Sequence, residues 1–347
     1  MVAHYKKYIL EFRQPSGTSR GILRQKETWF IFINDGQKMG LGECGLLRGL
    51  SCDDRPDYEE KLAWTCANIH LGKDFLYASL VEFPSIQMGV ETAFLSMLSD
   101  DPFLLFPNAF SSSEASIIIN GLIWMGDLDF MLAQVKDKLE QGFSCIKMKV
   151  GAIDFEQELS ILKGIRNQYT KEQLVLRVDA NGAFKADAIE KLHRLAALDI
   201  HSIEQPIPVG NWREMNRLCK ESPLPIALDE ELIGVFSRED KIALLEGIQP
   251  QFIILKPSFI GGFTGAKEWS TLAHERGIDS WVTSALESNV GLNAIAQWTY
   301  HNNYKGHQGL GTGNLFTNNI PSPLTIENGY IRLSNKKVWT PLEQILF

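Results

Sequence analysis

From residue 115 onward, the sequence alternates between short apolar runs and amphipathic stretches long enough to form helices. This alternation is the feature that most constrains the fold, because it is typical of parallel strands joined by helices. Eight apolar runs are present, at 115–120, 144–149, 174–179, 202–204, 225–229, 252–256, 279–284 and, less regularly, 306–311. Eight units predict an α/β fold of the TIM-barrel type, a (β/α)8 barrel, and the length they occupy suits that fold.

The residues before the barrel have a different pattern. Two apolar runs there surround an Asp35-Gly36 pair, which is typical of an antiparallel hairpin, and the spacing from 57 to 98 is helical apart from a break at Pro84. We therefore expect an N-terminal α+β capping domain that the C-terminal tail completes. The predicted divisions are a capping domain at 1–115, a barrel that carries the active site at 116–320, and a tail at 321–347 that packs back on the capping domain.

Composition narrows the class of function. The 347 residues contain 34 Lys and Arg against 42 Asp and Glu, a net charge of −8, and no basic run of the kind that binds a phosphate backbone. No apolar stretch is long enough for a membrane span or a signal peptide. The five cysteines form no C-x-x-C pair. We expect a cytoplasmic protein that binds a small molecule, without nucleic acid or membrane partners; the sequence leaves the oligomeric state open.

The six runs from 144–149 to 279–284 each end in a polar residue that a buried strand has no structural reason to carry. These residues are 25 to 30 positions apart, so one strand and one helix separate each from the next. In a parallel barrel the carboxyl ends of the strands meet at one mouth, which predicts that the six side chains are neighbours. They are Lys149, Asp179, Glu204, Asp229, Lys256 and Ser284.

Three of these residues are carboxylates on consecutive strands: Asp179, Glu204 and Asp229. Converging carboxylates repel each other unless a cation lies between them, and oxygen ligands without His or Cys favour Mg²⁺, with Mn²⁺ as a possible substitute. Alternatively, each acid caps the helix that follows it. That alternative explains one residue well and three in register poorly. Glu230 follows Asp229 directly, so strand alternation predicts that it faces away from the site.

The lysines indicate proton transfer. Alternation in the second run places Lys147 and Lys149 on the face opposite Ile146 and Met148. Two enclosed ammonium groups repel each other and lose hydration, and both effects lower a lysine pKa, so Lys149 is a candidate general base with Lys147 as the neighbour that tunes its pKa. A solvent-exposed basic face is the alternative. Lys256 lies across the barrel, an arrangement suited to removing the proton beside a metal-bound carboxylate through an enediolate intermediate.

With these residues the chain resembles the enolase superfamily, and within it the muconate lactonizing enzyme-like subgroup. The Lys147-Met148-Lys149 sequence, the three acids and Lys256 match that subgroup's metal and acid–base positions. The resemblance covers essentially the whole chain, since the family also places an α+β capping domain before its barrel. It implies a divalent metal and lysine-dependent enediolate chemistry.

Three less specific segments, 19–29, 283–288 and 309–313, resemble the branch that dehydrates 2-succinyl-6-hydroxy-2,4-cyclohexadiene-1-carboxylate to o-succinylbenzoate in menaquinone biosynthesis. That resemblance implies a lyase in which Lys149 takes the proton and then protonates the leaving hydroxyl, while Lys256 stabilises the enediolate. It also implies substrate contacts from Arg177, Asn181 and Ser284, with the Ser284 region at the succinyl carboxylate. We further expect the loop 15–21 to form a lid over the barrel mouth, and a mobile hairpin loop is the alternative.

Two other functions compete with this one. An N-succinylamino acid racemase or dipeptide epimerase of the same subgroup would use Lys149 and Lys256 as opposed bases. Dipeptide epimerases of this type usually carry an Asp-x-Asp near the eighth strand, where this chain has Gly-Leu-Gly-Thr-Gly at 309–313. A non-catalytic barrel that only binds a metal or an anion is the third hypothesis, and such a protein should have lost at least one of the acid–base or ligand positions.

Overall fold

The computed structural model describes residues 1–18, 21–151 and 153–346. The chain begins with a three-stranded antiparallel sheet in the order β1-β2-β3. Its strands are β1 (Val2–Thr18), β2 (Gly21–Asn34) and β3 (Met39–Cys44). The Asp35-Gly36 turn is confirmed between β2 and β3, where Asp35 Oδ1 accepts the backbone N–H groups of Gln37 and Lys38. The loop predicted at 15–21 is instead the end of a long hairpin in which Thr18 pairs with Gly21, and Ser19 and Arg20 lie outside the described residues.

Three helices complete the N-terminal α+β unit: α1 (Tyr58–Ala67), α2 (Lys73–Ser79) and α3 (Pro84–Leu98). Pro84 occupies the first turn of α3, where a backbone N–H has no acceptor within the helix. The N–H that proline lacks is therefore not needed there, and the predicted break is the start of a helix. Helix α3 packs tightly on β3. A Cβ atom at Gly42 would collide with the carbonyl oxygen of Gly89, so only glycine permits this close approach.

A parallel sheet of seven strands follows, in the order β11-β10-β9-β8-β7-β6-β5. After a short strand β4 (Ile117–Ile118), its strands are β5 (Gly121–Ile123), β6 (Cys145–Lys149), β7 (Val175–Asp179), β8 (Ser202–Glu204), β9 (Ile226–Leu228), β10 (Phe252–Leu255) and β11 (Asp279–Val282). The connecting helices are α4 (Leu128–Glu140), α5 (Phe155–Gln168), α6 (Ala188–Ala196), α7 (Trp212–Glu221), α8 (Arg238–Ile248), α9 (Gly262–His274) and α10 (Asn289–His301). Short 3₁₀ helices lie at Ile69–Leu71, Glu230–Leu232, Pro257–Phe259 and Gly313–Leu315.

The two outermost predicted runs differ from the structure. In the first run, Ile117–Ile118 pairs with the C-terminal tail, and the sheet strand itself begins later, at Gly121. The last run, 306–311, forms two isolated parallel bridges, from Gln308 to Ile119 and from Gly309 to Thr283. The six runs between them each contain a strand of the sheet, as predicted.

The largest core lies between the parallel sheet and its helices. Ile146 and Met148 of β6 belong to this core, together with helix residues such as Leu159 and Leu162. This confirms the alternation inferred from the sequence, because Lys147 then points to the opposite face of the strand. None of the helices in the described ranges is long and apolar enough to cross a membrane.

The tail contacts both parts of the chain. Its hairpin, β12 (Leu324–Glu327) and β13 (Tyr330–Leu333), pairs with β4. The helix α11 (Leu342–Leu346) follows, and Leu342 shares a cluster with Phe30 of the N-terminal sheet. The division at residues 115 and 320 stays a prediction.

Candidate active site

The ends of the parallel strands bring the predicted residues together. Lys149, Asp179 and Glu204 occupy one level of the sheet, because Lys149 pairs in register with Asp179 and Asp179 with Glu204. Asp229, Lys256 and Ser284 lie just beyond the ends of β9, β10 and β11. Lys149 contacts Asp179, and Lys256 contacts Asp229. Lys147 joins Glu204 to Asp179, and all six side chains but that of Lys256 are buried. The convergence inferred from the regular spacing is therefore present in the fold.

Each of the three carboxylates is bonded to a lysine. Lys147 Nζ donates to Asp179 Oδ2 at 3.2 Å and to Glu204 Oε2 at 2.6 Å. Lys149 Nζ donates to the same oxygen of Asp179 at 3.0 Å. Lys256 Nζ donates to Asp229 Oδ2 at 2.5 Å. In the sheet, this pair lies on one side of the strand that carries Glu204, and Lys149 and Asp179 lie on the other side.

These contacts set the pKa values. Burial acts to raise the pKa of Asp179, but the nearby Lys149 and Lys147 outweigh it and hold that pKa well below its usual range. Burial raises the pKa of Glu204 to about 7, and the charges of the two neighbouring acids add to this effect. For Lys147, burial lowers the pKa, but the carboxylates prevail and the net shift is upward. At Lys147 the attraction of the carboxylates therefore outweighs repulsion between the two lysines, because each lysine has an acidic partner.

The donor set fits a hard divalent cation. Among the residues that the structure describes, no three acidic, His or Cys side chains stand at the spacing of a metal site, and lysine ammonium groups contact all three carboxylates. Within the same residues, Glu204 Oε1 is buried without a hydrogen-bond partner. An unpartnered buried carboxylate oxygen is costly, and a cation between Asp179 and Asp229 would supply the missing partner. The helix-cap alternative finds no support at Asp229, whose side chain caps no backbone N–H.

A cavity of about 840 Å³ opens above these residues. Lys147, Lys149, Asp179, Asn181, Lys256 and Ser284 all line it. Asn181 Oδ1 accepts from Lys149 Nζ at 2.5 Å, which places this predicted residue directly beside the candidate base. Gly21, Ile22 and Leu23 of the long hairpin also line the cavity, so this hairpin covers part of the mouth, where the sequence predicted a lid loop.

Arg177 lies elsewhere and does not line this cavity. Its guanidinium stacks 4.0 Å over the ring of Trp281, and its Nη1 donates to the carbonyl oxygen of His307 at 2.9 Å. The reason is geometric: Arg177 precedes Asp179 by two residues, so it shares the interior face of β7 but lies one layer deeper. This position does not support the predicted contact of Arg177 with substrate, which stays a prediction.

Other cavity residues were not anticipated. Glu230 was expected to face away, but β9 ends at Leu228 and Glu230 begins a 3₁₀ helix, so strand alternation no longer applies. Its Oε1 accepts from Asn181 Nδ2 at 2.9 Å. The segment after β3 adds a cavity wall that the sequence analysis did not assign. Gly49 in this segment has a φ of 75°, a conformation that favours glycine. The cavity residues of this segment are Leu47, Arg48, Gly49 and Leu50.

Comparison with known proteins first defines the class. Residues 131–337 match the family model described as enolase C-terminal domain-like. A solved muconate lactonizing enzyme from Pseudomonas fluorescens shares the fold, with a TM-score of 0.81 at 20% identity over 99% of this chain and 97% of that one. Enzymes of this superfamily bind a divalent metal ion.

Within that class, one similarity extends over nearly the full length of the chain. The chain is 43% identical to o-succinylbenzoate synthase of Desulfotalea psychrophila over 96% of this chain and 99% of that protein. The crystal structure of MenC from the same organism has a TM-score of 0.85 at 40% identity, covering 96% of this chain and 99% of that one. The chain therefore belongs to the o-succinylbenzoate synthase family of the enolase superfamily. An N-succinylamino acid racemase from Thermus thermophilus is 32% identical over only 46% of this chain and 41% of its own length.

Proposed function

We propose that this protein is a carbon–oxygen lyase that dehydrates 2-succinyl-6-hydroxy-2,4-cyclohexadiene-1-carboxylate to o-succinylbenzoate, a step of menaquinone biosynthesis. The observation that carries the proposal is the placement of Lys149 and Lys256 on opposite flanks of three buried carboxylates, under one cavity. The full-length similarity to an o-succinylbenzoate synthase supports it. Loss of water makes the ring aromatic, so the reaction is favourable and needs only one well-placed base.

Asp179, Glu204 and Asp229 would hold Mg²⁺, or Mn²⁺ in its place. When bound, the cation supplies positive charge beside the ring carboxylate of the substrate. The buried free oxygen of Glu204 supports this assignment. So does the hydrogen bond from Lys147, which fixes the other oxygen of the same carboxylate.

The lysines perform the proton transfers. Lys149 takes the proton from the ring carbon next to the carboxylate, and the electron pair of that C–H bond moves into the carboxylate to give an enediolate. The Lys256 ammonium stabilises this added negative charge. The electron pair then returns to the ring, the C–O bond breaks, and Lys149 returns its proton to the departing hydroxyl, which leaves as water. Lys147 shares Asp179 Oδ2 with Lys149, which supports its proposed tuning role.

The substrate site is proposed to use Asn181 next to the base and Ser284 at the far side of the cavity. Ser284 Oγ lies 2.8 Å from Thr312 Oγ1, and both line the cavity with Gly309 and Gly311. Glycines let backbone N–H groups approach an anion closely, so this wall suits the succinyl carboxylate.

We further propose that the seven-stranded sheet closes into a complete (β/α)8 barrel. The bridges from Gln308 and Gly309 to residues on both edges of the sheet support an eighth, very short strand. The hydrophobic cluster that contains both Leu342 and Phe30 supports a capping domain at 1–115 that residues of the tail complete. All five cysteines are free thiols, which supports a reducing, cytoplasmic location.

Racemisation of N-succinylamino acids is the second candidate, because two lysines on opposite flanks also suit an enzyme that exchanges a proton between two faces. The experiment is to supply the protein and Mg²⁺ with the cyclohexadiene carboxylate and, separately, with N-succinylamino acids in D₂O. We expect dehydration to be much faster than deuterium exchange. Exchange that is faster than dehydration would assign the protein to the racemases, and the absence of both reactions would favour a non-catalytic barrel.

A further inference from the structure

A buried cluster of charged and hydroxyl side chains joins the N-terminal sheet to the cavity wall. None of the proton transfers above uses it, and each of its members is 4% exposed or less. Strands β2 and β3 contribute one half, and the segments after β10 and β11 contribute the other. The members are Lys26, Thr28, Glu43, Ser258, Ser284, Glu287 and Ser288.

Glu287 ties separate parts of the cavity wall together. Its Oε1 accepts from Ser258 Oγ at 2.6 Å, two residues after Lys256. Its Oε2 accepts from Ser284 Oγ and from the backbone N–H of Ala285, both at 2.7 Å. Since Ser284 also contacts Thr312, a single carboxylate sets the positions of three successive wall segments.

Glu43 forms the corresponding link from the N-terminal sheet. It accepts from Thr28 Oγ1 on its own sheet and from the backbone N–H groups of Ser288 and Gly291, each at 2.8 Å. Ser288 is the N-cap of α10, so this carboxylate lies at the positive end of that helix. The N-terminal sheet thereby anchors the segment that leads from Ser284 into α10.

Two glycines allow the halves of the cluster to meet. A Cβ atom at Gly45 would lie 2.7 Å from Ser258 Oγ and 3.0 Å from Glu287 Cγ. At Gly291 it would lie 2.8 Å from Glu287 Cβ and 2.9 Å from Glu43 Oε2. Any side chain at either position would separate the N-terminal sheet from the cavity wall.

Lys26 is the cation of this cluster. Its Nζ is buried and has no hydrogen-bond partner among the described residues. Burial lowers the pKa of Lys26, and the charges of Glu43 and Glu287 act in the opposite direction. Alternation along β2 places Lys26 on the same face as Thr28, whose hydroxyl is bonded to Glu43. A buried carboxylate requires nearby positive charge as well as hydrogen bonds, and Lys26 supplies that charge on this face.

We infer that Lys26 is a positioning residue for substrate binding, because its buried charge is shared by Glu43 and Glu287 and so holds the 284–288 wall in place. The inference rests on the proposed function, in which that wall receives the succinyl carboxylate. Without the charge, the two acids repel each other and the wall shifts. Lys149 and Lys256 keep their own partners, Asp179 and Asp229, so substrate binding is affected more than proton transfer.

The test is Lys26→Met, which keeps the length of the side chain and removes its charge. We expect KM for the cyclohexadiene carboxylate to rise at least about tenfold while kcat stays within about threefold of wild type. Amide hydrogen exchange at Ala285, Ser288 and Gly291 should become faster, because these N–H groups are bonded to the two acids. In Lys26→Met/Glu287→Gln, the increase in KM should be at least about fivefold smaller than the product of the two single effects.

Lys241→Met is the matched control. Lys241 is also a buried lysine, bonded to Glu268 on the outer helices, so this variant should lose stability without a change in KM or in the three amides. An unchanged KM in Lys26→Met would overturn the inference. So would a loss of stability accompanied by uniformly faster amide exchange, which any destabilised variant shows. Should Lys26→Met not fold, Glu287→Gln decides, because an unchanged KM there contradicts it equally.

Wild-type turnover separates this inference from the proposed function. If the wild-type protein dehydrates the substrate, the kinetics of the variants decide the role of Lys26. If it does not, the proposed function has failed, and exchange at the three amides still shows whether Lys26 holds the wall.

Discussion

Single residues of the site depend on short-range neutralisation of charge. Asp179 accepts from two lysines through one oxygen, and Asp229 accepts from a third. Glu204 alone keeps a buried oxygen with no hydrogen-bond partner in the described part of the chain. The three acids thus differ in their surroundings, and the two lysines hold the pKa of Asp179 well below its usual range.

Asp179→Asn removes one of the proposed metal-binding charges. We expect Mg²⁺ affinity to fall at least about 100-fold, because the amide is neutral and leaves two buried lysines with less compensation. Isothermal titration calorimetry with Mg²⁺ measures this directly. Asp187→Asn, at the exposed start of α6, is the control and should bind as wild type does. Equal affinity in both variants would show that Asp179 is not a ligand.

The sequence was informative about residues where one simple rule applied. Strand periodicity and a regular spacing were enough to bring Lys149, Asp179 and Glu204 together. It failed where the rule stopped, since Glu230 leaves the strand for a 3₁₀ helix. The substrate contact of Arg177 came from the resemblance and not from this rule, and it stays a prediction. Lys26 was invisible as a functional candidate, since a single lysine in a strand carries no sign of the acids that fold next to it.

At the scale of elements, the cavity wall formed by residues 47–50 is held by a helix of the N-terminal unit. Asp53 Oδ2 accepts the backbone N–H of Ser85 at 2.9 Å and its hydroxyl at 2.5 Å. Ser85 lies in the first turn of α3, whose own N-cap residue, Phe83, provides no side-chain hydrogen bond. Asp53 therefore caps a helix distant in sequence and connects the wall to it.

This contact predicts a pH dependence. Burial raises the pKa of Asp53 from 3.8 to about 6, although the bonds from Ser85 oppose the shift. Between pH 4 and pH 6, Asp53 is protonated in the folded protein but ionised in the unfolded chain. The contribution of Asp53 to stability is therefore present below pH 4 and is lost as the pH rises to 6. The variant Asp53→Asn does not show this loss. The difference in free energy of unfolding, variant minus wild type, should therefore increase by about 3 kcal/mol from pH 4 to pH 7.

Urea titrations at several pH values test this expectation. Burial also lowers the pKa of His201 and of His307 to about 4, which makes stability rise with pH in the same range. Both proteins contain these histidines, so their effect cancels in the difference. A difference that stays constant from pH 4 to 7 would show that Asp53 is not the group responsible.

Elements were predictable where helix and strand patterns alternate cleanly, and less so at the edges of the sheet. The eighth run contributes only bridges at Gln308 and Gly309, and the first run gives Ile117–Ile118 to the tail. Both outcomes depend on contacts with residues far away in the chain. Local periodicity contains no information about such partners, so the sequence placed these two elements only approximately.

For the whole molecule, the tail packs on the N-terminal part of the chain, and helix α3 contacts a helix of the parallel sheet. Trp339 stacks on Phe103 with ring centroids 4.1 Å apart and an angle of 5° between the planes. Glu91 of α3 accepts the backbone N–H of Phe263 and the hydroxyl of Thr264 at 2.6 Å each, at the start of α9. The sequence predicted that the tail returns; which aromatic residue it meets depends on packing that no local pattern specifies.

Trp339→Ala tests the contribution of the tail. We expect the free energy of unfolding to fall by about 1 to 3 kcal/mol, because the half-buried Trp339 ring is removed and Phe103 loses its stacking partner. Denaturant unfolding measures this change, and kcat should stay within about twofold of wild type because no proton-transfer group is touched. Val338→Ala, at a neighbouring residue that is 83% exposed, should change stability by less than about 0.5 kcal/mol. A stable Trp339→Ala variant would mean that the stacking contributes little.

Dehydration by Lys149→Ala tests the central claim most directly. The variant is assayed with Mg²⁺ and the cyclohexadiene carboxylate, alongside Mg²⁺ binding measured by calorimetry. We expect turnover to fall by at least about 10³-fold with Mg²⁺ affinity within about tenfold of wild type, because the base is removed and the three carboxylates remain. Turnover within about tenfold of wild type would contradict the assignment of Lys149 as the base, and with it the mechanism proposed for this site.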